Sequence, residues 1–174
     1  MATTPKLIAK IELGSSAASV TFGSGGTIPQ TYTDLLLEIS ARSDISDYGS
    51  WATLNPNGAT TNISGRSLYA SGSTPASTSY SSGNVGYVWT NAALQTSSTF
   101  SNTSVYIPNY AGSTNKSWSV TAIAESNSAT QNFMAIAAFV WASTDAITSI
   151  TLDPQGAGNF VSGSTFYLYG ITKA

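Results

Sequence analysis

Histidine and cysteine are both absent from this sequence, and charge is scarce. Without histidine there is no imidazole for a Ser-His-Asp or Cys-His nucleophile, and the commonest zinc ligand and the usual proton shuttle near neutral pH are missing too. Without cysteine there are no disulfide staples and no thiolate metal site. Lys, Arg, Asp and Glu together make up 8% of the chain, against about 25% in an average soluble protein. Solubility therefore rests on hydroxyls and amides. The basic residues Lys6, Lys10, Arg42, Arg66, Lys116 and Lys173 stand singly, and scattered cations do not neutralise a phosphate backbone, so nucleic acid is not an expected partner. No apolar run approaches the ~20 residues of a membrane-spanning helix, so no membrane partner is expected. The start, Met1-Ala-Thr-Thr-Pro5, lacks the charged-then-apolar pattern of a secretory signal, which fits synthesis in a cytoplasm.

What the chain does have is short stretches of alternating or fully apolar residues, separated by Gly, Ser, Asn and Pro. That pattern predicts strands. From Lys6 to Leu13, the residues Leu7, Ala9, Ile11 and Leu13 share one face, and Lys6, Lys10 and Glu12 the other. From Asp34 to Arg42, Leu35, Leu37, Ile39 and Ala41 point inward, with Asp34, Glu38 and Arg42 expected outward. Lys116 to Glu125 alternates through Trp118, Val120, Ala122 and Ala124, whereas Phe133 to Trp141 is apolar on both faces and reads as a strand covered on both sides. Ser164 to Thr172 closes the sheet. Weaker strands are expected over 18–22, 50–55, 63–69, 86–90, 104–108 and 147–152. The turn Asn55-Pro56-Asn57-Gly58 places Pro where φ is preset and Gly where a positive φ is tolerated. The Ser/Gly-rich stretch from Ala70 to Gly83 carries no core pattern and reads as one exposed loop. About ten strands and no helix-length amphipathic segment predict an all-β chain: one domain over 1–174, a jelly-roll-like antiparallel sandwich, with 1–5 as a short N-terminal arm.

Paired carboxylates are the one catalytic device left. Asp34 and Glu38 share a strand face with Leu36, Ser40 and Arg42, which favours a solvated exterior with an ion pair over an acid-base pair. The Asp44-Ile-Ser-Asp47 segment could offer oxygens to Ca²⁺, but lacks the dense, glycine-kinked acid spacing of a calcium loop, so a turn capped by its own side chains is favoured. No catalytic, cofactor or metal residue is assigned. Trp118 and Trp141 sit in strong strand patterns and are expected in the core, while Tyr48, Tyr80 and Tyr87 lie at or beside polar loops and are candidate contact residues. Three glycosylation-type triplets, at Asn62, Asn102 and Asn115, are expected by chance in so Ser/Thr-rich a chain.

Four segments carry a resemblance: Thr27-Ile-Pro-Gln-Thr-Tyr-Thr-Asp-Leu-Leu-Leu-Glu-Ile-Ser-Ala-Arg42, Tyr106-Ile-Pro-Asn-Tyr-Ala-Gly-Ser113, the run from Trp141 to Leu152, and the run from Phe160 to Ile171. Their wording resembles virion structural proteins of tailed phages, such as those of cyanobacteria and other aquatic bacteria. The resemblance implies a non-enzymatic jelly-roll protein of the capsid surface, a decoration or cement protein whose partners are itself, as a homotrimer, and the major capsid protein. The alternative it implies is a head- or tail-fibre domain binding host-surface glycans. Multivalent contact would give a small trimer a strong hold on a shell, and a flat strand face with exposed apolar groups such as Leu36 and Ile123 is the expected trimer surface.

Overall fold

In a computed structural model of the chain, residues 4–84, 86–124 and 133–172 are described. Every regular element among them is a strand. In chain order they are β1 (Lys6–Glu12), β2 (Val20–Phe22), β3 (Asp34–Ser40), β4 (Ser50–Pro56), β5 (Ile63–Ser71), β6 (Thr74–Asn84), β7 (Gly86–Thr90), β8 (Asn102–Ile107), β9 (Lys116–Ala124), β10 (Phe133–Trp141), β11 (Ile150–Pro154) and β12 (Thr165–Ile171). They form a large sheet in the order β1-β12-β3-β8-β9-β10-β5-β6 and a small one in the order β2-β11-β4-β7. All pairings between these strands are antiparallel. The expected all-β antiparallel sandwich is what the chain adopts, with twelve strands among the described residues rather than about ten.

The pairing has a simple logic. β1 pairs with β12, β2 with β11, β3 with β8 and β4 with β7, so that the pairs nest one inside the next along the chain. Two hairpins, β5–β6 and β9–β10, are inserted into this nest and dock on each other through β5 and β10, widening the large sheet by four strands. Between the sheets lies the core. Phe22, Leu35, Leu37, Leu54, Val105, Leu152, Phe160, Phe166 and Leu168 from the nest meet Trp118, Val120 and Phe139 from the hairpins. Burial of a large apolar side chain contributes roughly 1.5–3 kcal/mol, and the alternation along β3, β9 and β12 delivers every second residue to this layer. Two glycines make room for rings. A Cβ at Gly65 would sit 2.3 Å from the Phe139 ring, and one at Gly86 would sit 2.3 Å from the Trp118 ring. The Asn57-Gly58 turn has φ of 51° and 71°. The Asn57 carboxamide locks it in place, accepting from the Thr148 and Ser149 N–H groups and donating to Ala146 O.

Several expectations are corrected by tertiary structure. The Ala70 to Gly83 stretch is not a loop: it is the end of β5, a turn at Gly72 (φ 58°) and most of β6. Its Ser and Thr hide a strand because one face is wet and the other lines an open cleft. Leu7 does not face the core, since a bulge between Leu7 and Ala9 shifts the register and turns Leu7 outward while Ile8 packs on the core. One extra residue reverses the alternation. Phe133–Trp141 is covered on one side only, with Met134, Ile136, Ala138 and Val140 exposed. β12 lies between β1 and β3, so β1, not β12, forms that edge. Asp34 keeps the outward side of β3 but is covered there beside Tyr106, and Arg42 is buried rather than outward. Of the proposed arm, Thr4 and Pro5 are exposed and 1–3 lie outside the described residues.

Candidate functional site

The hairpins create two surfaces that the nested strands lack. The first is the outer face of the large sheet over β9, β10 and β5. Register places Ile123 beside Met134, Met134 beside Ala70, and Ile136 beside Leu68. With Val140, these large apolar side chains are between 42% and 59% exposed. Arg66 is the single charged side chain on the outward positions of these three strands, and its guanidinium donates to Gly65 O. A second outer row crosses the nest: Leu7 beside Tyr169, Tyr169 beside Leu36, and Leu36 beside Tyr106. Leu36 and Ile123 thus share a face but not a patch, and Leu36 is half-buried between its two tyrosine neighbours.

The second surface is a cleft of about 480 Å³, within the ~300–1,000 Å³ range of small-molecule sites. On one wall, the register pairs Trp51 with Trp89 and Thr53 with Tyr87, placing both tryptophans and Tyr87 on the face of the small sheet opposite Ala52 and Val88. The other wall is the β5–β6 hairpin and the start of β10, contributing Tyr69, Thr78, Tyr80 and Phe133. Asp47, Tyr48 and Gly49, preceding β4, form the lip. Ring contacts join the walls. Tyr80 lies 4.9 Å from Tyr87 and 5.4 Å from Phe139, Trp51 meets Tyr87 edge-on at 6.2 Å, and Phe133 stacks between Tyr69 (5.7 Å) and Trp89 (6.0 Å). Such contacts contribute about 0.5–1.5 kcal/mol each beyond burial, so the walls are held rather than loose. Tyr80 Oη and Ser67 Oγ are 3.2 Å apart, and burial beside Tyr80 raises the Tyr87 pKa above the ordinary phenol value. At the mouth, Tyr48 is 49% and Trp51 36% exposed.

The structure therefore brings Tyr48, Tyr80 and Tyr87 into one site. It adds Trp51, Tyr69, Trp89 and Phe133, none of them among the expected contact residues; an apolar residue at an alternate strand position looks the same whether it faces a core or a cleft. The carboxylates do not converge in this way. Asp34 accepts from Tyr106 Oη (2.7 Å) and Asn109 N–H (2.9 Å), and Glu38 accepts from Ser104 Oγ (2.8 Å). Four residues along a strand separate their Cα atoms by about 13 Å. Arg42 makes no ion pair with them: its guanidinium donates to the carbonyls of Ala93, Gln95, Thr96 and Thr99, tying down the loop before β8, and burial lowers its pKa. Lys116 is buried likewise, donating to Gly112 and Thr114 carbonyls. Asp44 caps Asn159 through two hydrogen bonds, and Asp47 Oδ1 accepts from Tyr48 N–H. Among the described residues, no group of three or more acidic side chains could hold a metal ion.

Compared with known proteins, the chain has no significant match to any protein-family model, curated protein or solved structure.

Proposed function

We propose that this chain is a non-catalytic structural protein of a tailed-phage virion, a capsid decoration or cement protein that works by associating with copies of itself and with the major capsid protein. The observation that carries the reading is the outer face of the large sheet, where Leu68, Ile123, Met134, Ile136 and Val140 stand exposed with Arg66 as their only charged neighbour on β5, β9 and β10. Three nine-residue strands at the usual spacings present about 14 by 30 Å, roughly 400 Å². The apolar groups share this face with Ser64, Ser117, Ser119 and Thr121, and a cluster of exposed apolar side chains of this size is often a functional surface. With so little charge to desolvate, two such faces can pack with little electrostatic penalty.

The resemblance to phage particle proteins supplies the setting and the threefold stoichiometry. Strand order supports the jelly-roll part of that reading. With the two hairpins set aside, the nested pairs leave β1-β12-β3-β8 facing β2-β11-β4-β7, the arrangement produced by rolling up one long antiparallel ribbon into two four-stranded sheets.

Light scattering on the purified protein at micromolar concentration should give the mass of a trimer, and M134K/I136K should give a monomer with the same strand spectrum. A monomeric wild-type protein would refute the assembly. Addition of the purified protein to shells stripped of it should restore a symmetric array of density; failure to bind the shell would remove the capsid assignment while leaving self-association standing.

A further inference from the structure

The aromatic cleft is not used by a self-associating sheet face, because it opens on the opposite side of the β5–β6 hairpin: Tyr69 and Tyr80 point into it, while Leu68, Ser77 and Ser79 point to the outer face. We infer that the cleft is a binding site for a neutral saccharide, independent of assembly.

Three features select that chemistry. Exposed ring surface at the mouth, from Tyr48 and Trp51, offers platforms against which the C–H face of a sugar ring can stack, and burying apolar surface against a held aromatic wall needs little reorganisation. Around that apolar floor stand Asp47, Ser71 and Thr78, a carboxylate acceptor and two hydroxyls that both donate and accept. A ring of sugar hydroxyls supplies both donors and acceptors to match them. Lastly, none of the lining residues is Lys or Arg.

The same features argue against the other ligands that stack on aromatic side chains. A nucleotide would bring its phosphates to a cleft holding Asp47 and no cation, where binding would lack the counterion release on which nucleic-acid affinity rests. A proline-rich peptide also docks on aromatic grooves, but it presents chiefly carbonyl acceptors, which could use the Ser71 and Thr78 hydroxyls yet would bring no donor to the Asp47 carboxylate, whereas a sugar brings both. A saccharide satisfies the floor and the rim together.

The test is an array of neutral oligosaccharides that also carries proline-rich peptides, followed by calorimetry on any sugar retained. Binding of one or more sugars is expected, weakened at least tenfold in W51A and in Y48A and unchanged in I136S, whose substitution lies on the outer face. Trp51 and Tyr48 are exposed, so both variants should keep the wild-type strand spectrum and oligomeric mass, which separates loss of the site from loss of the fold and from failure of the assembly. Three outcomes would overturn the inference: no sugar retained at millimolar concentration, sugar binding indifferent to both W51A and Y48A, or capture of proline-rich peptide alone.

Discussion

The nested strands β3, β8 and β12 and the β9–β10 hairpin bury their inner faces, the β5–β6 hairpin turns its inner face to the cleft, and the nest and the hairpins finish their outer faces differently. On the nest, the outer face is tied into polar contacts: Lys10 pairs with Glu12 at 2.7 Å and lies over the Tyr167 ring, Glu38 accepts from Ser104, and Tyr106 donates to Asp34. On β5, β9 and β10 the equivalent positions carry Leu68, Ile123, Met134, Ile136 and Val140 with one arginine. Outer positions add little to folding stability whichever residue fills them, so their composition reports on what the surface meets. The apolar groups of the hairpin face are the ones the proposed assembly would cover, and the same hairpins supply one wall of the cleft.

That division of labour can be tested from its strongest consequence to its weakest. Phe166, fully buried in the nest and packed edge-on to Phe160 at 5.0 Å, should cost about 3–5 kcal/mol when changed to Ala, read as a fall in the urea midpoint with unchanged slope. A loss under about 1 kcal/mol would mean that the nest is not the stabilising unit. Next in size, R42A withdraws the donors from four carbonyls and should cost about 1–3 kcal/mol; Arg42→Lys should recover only part, since an ammonium lacks the planar fork. G65A would press a methyl group against the Phe139 ring and Ala138 O, 2.7 Å away. The ring can turn aside but the carbonyl belongs to the β5–β10 ladder, so a cost of about 1–3 kcal/mol is expected, together with weakened sugar binding, because the hairpin carries Tyr69 and Tyr80.

A smaller effect concerns acid. The Asn159 side chain and then its backbone N–H hold the Asp44 carboxyl below its ordinary value. A depressed folded pKa contributes stability that is fully present above the unfolded value of about 3.9 and is lost as pH falls through the folded one. Stability should therefore be flat from pH 8 to about 5, where no histidine titrates, and then decline, with D44N removing part of the decline. A slope near pH 6.5 would contradict this. Smallest of all, I136S should leave the stability of the isolated subunit within about 0.5 kcal/mol while weakening association, measurable as a rise in the concentration at which the oligomer dissociates.

Alternation, turn residues and composition were enough to place most strands, the Asn57-Gly58 reversal and core residues such as Leu35, Leu37, Trp118, Val120 and Trp141, because these depend on neighbours one or two positions apart. The phase of β1 was not readable, since a bulge leaves no mark in residue order, and β6 was hidden because a strand with a wet face and a cleft face needs no apolar alternation. Nor could the sequence show that Arg42 and Lys116 are buried, as a cation goes inside only where the fold collects enough carbonyls to receive it. Strand pairing across long separations decided the rest. Tyr48, Tyr80 and Tyr87 become one site, and Ile123 and Leu68 become one patch, because which side of a sheet meets which neighbour is settled by register between distant segments and not by the local pattern that makes each of them a strand.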